Sequence, residues 1–98
     1  MAMQYDVKSA HLSVAGTVWD SRGRLKGFSV APAVSTACTF EFRDGGATGK
    51  ILCQIDLPTN SNPNSFYVTI PQEGILFETN IYLTFSVGSV TGITAFYG

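Results

Sequence analysis

A chain of 98 residues is long enough for one packed domain and too short for two. Hydrophobic residues make up 45% of it, which excludes a disordered polar chain. Charged residues are only 13%, about half the usual share, and the net charge is −1 from scattered groups, so neither a nucleic-acid stripe nor a strongly charged free surface is expected.

The opening MAMQYDVKSAHL lacks a basic patch followed by an apolar stretch, so it does not read as a signal peptide, and synthesis in a cytoplasm is expected. No apolar run reaches the roughly eighteen residues of a membrane span. Residues 4–12 read as a first strand, with Tyr5, Val7, Ser9 and His11 on one parity. His11 is expected at a surface or rim. Residues 13–16 are a small-residue break. Thr17-Val18-Trp19 is a short extended piece, and Trp19, the only tryptophan, is either a buried anchor or an interface anchor.

Residues 20–23 form a turn, and 24–30 the next strand. Leu25 lies on one parity, Phe28 and Val30 on the other, so a β-bulge is expected at Gly27. Arg22, Arg24 and Lys26 are the nearest approach to a basic cluster. Ala31-Pro32-Ala33 ends this strand.

Residues 37–57, ACTFEFRDGGATGKILCQIDL, read as the central hairpin. Cys38, Phe40 and Phe42 share one parity, and Thr39, Glu41 and Arg43 the other. Ile51, Cys53, Ile55 and Leu57 alternate with Lys50, Leu52, Gln54 and Asp56. One face is therefore expected to be apolar and the other mostly wet. Asp44-Gly45-Gly46 supplies the positive φ angles of a turn, and Gly49 allows a wider loop. Folding the arms brings Cys38 and Cys53 near one another, either as reduced core residues or, less in keeping with a reducing compartment, as a disulfide.

Residues 58–65, PTNSNPNS, are the strongest loop signal. Residues 66–70 resume alternation, with Phe66, Val68 and Ile70 inward and Tyr67 and Thr69 outward. After a turn at 71–74 and a short strand at 75–78, residues 81–87 alternate Ile81, Leu83, Phe85 and Val87 against Tyr82, Thr84 and Ser86. Residues 93–97 close the chain, with Phe96 opposite Ile93, Ala95 and Tyr97. No window has a 3.6-residue apolar period. The expected fold is all-β: one domain over 1–98, a small antiparallel β-sandwich or jelly-roll-like barrel of about eight strands.

The residue inventory does not suggest catalysis. The single histidine has no nucleophile beside it, and no G-x-S-x-G elbow occurs. Asp44, Asp56, Glu73 and Glu78 flank turns, where carboxylates cap and solubilise. Asp44-Gly-Gly alone is too little for calcium. Two cysteines and a distant histidine do not make a metal site, and no cofactor is expected. Tyr67, Tyr82 and Phe96 fall on outward parities; β-propensity alone accounts for aromatics on either face of a strand, and the alternative is a sticky patch, more naturally a protein interface than a sugar site.

The segments FRDGGATGKILCQIDLP, VTIPQEGILFETNIYLTF and ITAFYG, with MAMQYDVKSAHL and RGRLKGFSV, resemble small virion structural proteins of tailed bacteriophages, especially those of marine bacteria. The resemblance implies a non-enzymatic virion protein made in the host bacterial cytoplasm. Its partners would be the major capsid protein or other virion proteins, with a homo-oligomer expected and neither nucleic acid nor membrane. A capsid decoration or cement module is the first reading, and a tail- or fibre-associated receptor- or carbohydrate-binding module the alternative. The expected interface residues are Arg22, Arg24 and Lys26 for polar contacts, and Trp19, Tyr67, Tyr82 and Phe96 for apolar ones.

Overall fold

The computed structural model describes residues 7–98 except 60, 63 and 72. Among the described residues nine strands follow in order: β1 (Lys8–Leu12), β2 (Gly16–Trp19), β3 (Gly23–Pro32), β4 (Cys38–Asp44), β5 (Lys50–Leu57), β6 (Phe66–Thr69), β7 (Ile75–Phe77), β8 (Ile81–Val87) and β9 (Val90–Tyr97). No helix among the described residues is long and apolar enough to cross a membrane. Residues 4–6 of the expected first strand lie outside the described residues.

The strands form two antiparallel sheets. One runs β1-β9-β3-β6, with β7 continuing β6 along the same edge of β3. The other runs β2-β8-β4-β5. Apart from the β4–β5 hairpin and the β6–β7 continuation, every connection changes sheet. This is the double Greek-key order of a jelly roll, and it bears out the expected fold class. The nine strands against the expected eight or so reflect the interruption of one edge strand into β6 and β7.

Alternation explains which face each strand buries. Phe28 and Val30 of β3, Phe40 and Phe42 of β4, Leu83 of β8 and Ile93 and Ala95 of β9 are all buried between the sheets. Three phenylalanines form the centre: Phe28 lies 5.0 Å from Phe42 and 5.8 Å from Phe40, centroid to centroid, across the two sheets. Edge and tilted contacts of this kind each add roughly 0.5–1.5 kcal/mol beyond burial. The bulge expected at Gly27 is present, as the β3–β9 register slips between Leu25 and Gly27 and lets Leu25 and Phe28 both point inward.

Other register shifts correct the simple alternation. The β4–β5 register shifts between Phe42 and Arg43, so Cys53 faces Phe42 but Ile51 faces Arg43. Ile51 is thereby turned to solvent, and Leu52 packs against the core in its place. A second shift between Thr39 and Phe40 against β8 leaves Val87 exposed rather than inward. Phe66, at the open end of an edge strand, is also exposed despite its inward parity. In β1 the inner side chains are Ala10 and Leu12, so Ser9 and His11 belong to the outer face.

Cys38 and Cys53 are not cross-strand neighbours. Cys38 faces Leu57, four residues along β5 from Cys53, and both thiols are free. Four residues of strand span roughly 13 Å, well beyond the roughly 7 Å a disulfide tolerates between Cα atoms. Burial pushes both thiols above the usual cysteine range, with the negative charge of Glu41 adding to the effect at Cys38.

Candidate functional site

Strand direction sorts the connections onto two ends. The β1–β2 connection (13–15), the β3–β4 connection (33–37), the β5–β6 connection (58–65) and the β8–β9 connection (88–89) all lie at one end. The registers Leu12↔Ile93, Pro32↔Val90, Thr39↔Val87, Cys38↔Leu57 and Val30↔Phe66 place them there. None of these four segments contains an ionisable residue. They carry Val14 at 68% exposure and Val34 at 62%, with Val87 at 56% and Phe66 at the adjoining strand ends. The nearest carboxylate, Asp56, is held by the Thr39 hydroxyl, which donates to it at 3.0 Å.

The opposite end holds most of the charge. It includes the 20–22 turn with Asp20 and Arg22, the Asp44–Lys50 turn, and the 78–80 turn with Glu78. The Asp44 carboxylate there accepts backbone N–H bonds from Thr79 at 2.8 Å, Glu78 at 3.1 Å and Asn80 at 3.3 Å. Asn80 reciprocates, its Oδ1 accepting from Gly45 and Gly46 N–H at 3.0 and 3.1 Å. Both glycines have positive φ, 105° and 95°, which turns their N–H groups toward Asn80 and matches the expected turn. The Thr79 N–H foremost, with Glu78, Asn80 and the Lys50 charge behind it, holds the Asp44 carboxyl below the usual carboxylate range. Its oxygens are thus committed to locking two turns together.

The outer face of the β1-β9-β3-β6 sheet carries two adjacent rows of side chains. Ser9 lies beside Phe96 and Phe96 beside Gly27, while His11, Thr94, Ser29 and Tyr67 form the neighbouring row. Tyr67 lies across Gly27 and meets the Phe96 ring edge-on, with centroids 5.8 Å apart. A Cβ on Gly27 would come within 2.6 Å of the Tyr67 hydroxyl and 2.8 Å of the Val68 carbonyl, so only glycine admits this arrangement. His11 Nδ1 lies 3.0 Å from the Thr94 hydroxyl, and the ring covers Gly92.

The expected interface residues are distributed as follows. Tyr67 and Phe96 come together on this face. Lys26 is the extra residue of the bulge beside Phe96, and Arg24 follows it toward the charged end, both half-buried. Arg22 is exposed in the β2–β3 turn, and its carbonyl accepts the Trp19 indole N–H at 3.2 Å. Trp19 is half-buried against the core, stacked on Tyr97 at 5.3 Å with the Lys8 ammonium 5.8 Å from its ring, so it serves as an anchor within the fold. Tyr82 does not join the patch: it faces Arg43 and Thr17 on the outer side of the other sheet. Because β6 and β9 belong to one sheet and β8 to the other, equal outward parity puts these aromatics on opposite sides of the molecule.

The supposedly wet face of β4 holds a buried carboxylate. Glu41 is 1% exposed and accepts the hydroxyl protons of Thr84, at 2.8 Å, and Ser86. Arg43 sits 3.6 Å from Glu41 Oε1 and donates to the Thr84 hydroxyl and the Gly49 carbonyl, at 3.1 and 2.8 Å. Both Glu41 oxygens have partners on β8, which makes the group structural. Among the described residues no cluster of three or more histidine, cysteine or acidic side chains could hold a metal ion.

The charge-free end had a signal in the sequence. Consecutive connections between antiparallel strands fall at opposite ends, and with β6 and β7 taken as one edge strand the chargeless segments are every second connection in the chain. Compared with protein-family models, with curated proteins and with solved structures, the chain finds no match.

Proposed function

We propose that this chain is a non-enzymatic virion structural protein of a tailed phage, a capsid decoration or cement module that attaches to the major capsid lattice. The observation that carries the proposal is the charge-free end, where Val14 and Val34 stand on connections and Val87 at the adjoining end of β8, with no ionisable residue in those connections. Exposed valines grouped in this way are a liability on a free monomer and an asset beneath a partner. The opposite, charged end suits solvent. The segments resembling phage virion proteins supply the context, and the jelly roll is a fold on which such modules are built, an argument by analogy.

Attachment is tested with purified particles of the phage that encodes the chain. Mass spectrometry is expected to find the protein in them, and cryo-microscopy to find its valine-bearing end against the shell. Val14→Lys, Val34→Lys and Val87→Lys together should keep the thermal transition and abolish rebinding to stripped particles. Absence from intact virions, or full rebinding by the triple variant, refutes the proposal.

The alternative, a tail- or fibre-associated carbohydrate-binding module, is favoured by one observation: the Tyr67–Phe96 pair lies beside the row of Ser29 and Thr94 on the outer face of one sheet. A glycan array read with wild type and Tyr67→Ala distinguishes the two. Sugar binding lost with Tyr67 would replace the first reading.

A further inference from the structure

The exposed backbone edge of β5 fits a second copy of this chain. β5 closes the β2-β8-β4-β5 sheet and, among the described residues, pairs with β4 alone, so one side of its main chain presents N–H and C=O groups that no described strand takes up. An edge of this kind accepts another extended strand. The other edges are guarded. β2 has four residues with a register shift, β6 has four, β7 has three, and β1 begins at Lys8. The shift at Leu52 protects the start of β5, but Cys53–Leu57 is regular, without proline, lysine or an inward-pointing charge.

We propose that two copies join antiparallel along Cys53–Leu57, with Ile55 facing its own symmetry mate, to make one continuous eight-stranded sheet. In this register Gln54 faces Asp56 of the other copy twice, and Cys53 faces Leu57 twice. Side chains that meet then share a face, since Cys53, Ile55 and Leu57 pack toward the core while Gln54 and Asp56 are exposed. Neighbouring registers are worse. Centring on Asp56 sets two carboxylates opposite each other and runs into Pro58, which has no N–H to give. Centring on Gln54 carries the pairing into the irregular Leu52. The contact is isologous and closes as a two-fold dimer. Five residues a side is a small interface, so the dimer is weak and concentration-dependent.

Sedimentation equilibrium of the intact chain, from about 1 µM to about 1 mM, is the test. The wild type should dimerise reversibly within that range. Gln54→Lys sets two opposite charges across the junction and should tighten the dimer about tenfold, whereas Gln54→Glu sets two like charges and should weaken it about tenfold. Position 54 is exposed but lies opposite Glu41 in the β4–β5 register, so Gln54→Glu should lower the melting temperature and Gln54→Lys should not; circular dichroism should show both variants folded at the temperature of sedimentation. A wild type monomeric throughout, or a dimer that shifts the same way or not at all with the two substitutions, overturns the proposal.

Discussion

The reciprocal clamp between Asp44 and Asn80 sets the stability of the charged end, and Asp44→Ala measures it. The carboxylate accepts three backbone N–H groups of the β7–β8 turn, the shortest from Thr79 at 2.8 Å. Bonds to a charged acceptor contribute about 1.5–3 kcal/mol each where water is excluded. Asp44 is partly open to solvent, so water replaces part of what is lost, and the expected cost at neutral pH is about 1.5–3 kcal/mol in total. For a chain of this size that lowers the melting temperature by roughly 6–24 °C. Because the folded-state pKa of Asp44 lies below its ordinary value, its contribution is complete above the unfolded carboxylate pKa of about 3.9. It is lost as pH falls from there through the lowered folded value. The gap between wild type and Asp44→Ala in urea denaturation should therefore be widest from pH 5 to 7 and close toward pH 2. A gap under about 0.5 kcal/mol at pH 7, or one that does not narrow in acid, would refute the reasoning. Asn80→Ala should cost a similar amount, and the double variant less than the two together, since each side chain holds the turn the other needs.

Arg43→Met removes the cation 3.6 Å from buried Glu41 and two further donated hydrogen bonds. With Arg43 itself only 22% exposed, the expected loss is about 2–3 kcal/mol by urea denaturation, and Glu41→Leu added to it should recover part of that. Gly27→Ala should cost about 1–3 kcal/mol, because the new methyl meets the Val68 carbonyl, which cannot move without breaking β6 from β3. It should also shift the Tyr67 and Phe96 ring resonances in NMR spectra as the pair separates.

What was legible in the sequence was whatever two-residue periodicity encodes. Phe40, Phe42, Leu83 and Ile93 were assigned inward from alternation and are buried. The Gly27 bulge was legible because Leu25 and Phe28 break phase across a glycine. What alternation does not carry is the extra residue without a glycine to mark it. The slips at Leu52 and Ser86 exchanged Ile51 for Leu52 and turned Val87 outward, and nothing local in either strand announces them. Parity also says which side of a strand a residue faces but not which sheet the strand joins. Tyr82 was thus grouped with Tyr67 and Phe96, although strand order sets them on opposite faces. Glu41 was misread for a related reason: it lies beside Thr84 and Ser86, whose hydroxyls come from more than forty residues away.

The same topology turns a one-dimensional pattern into a surface. A jelly roll sends the chain from one sheet to the other at nearly every connection, so segments 13–15, 33–37, 58–65 and 88–89, far apart in sequence, converge on one end. Each alone is an ordinary polar-to-apolar loop, and a single exposed valine needs no explanation. Convergence changes the physics. Three exposed valines with no charge among the connecting segments form a neutral, desolvation-ready end, while the carboxylates and cations at the other end are tied into turn clamps or left in solvent. The β5 edge lies along the side of the molecule and leaves that end free. The proposed lateral pairing of copies and the proposed end-on attachment therefore call on different surfaces, and a variant that loses one should retain the other.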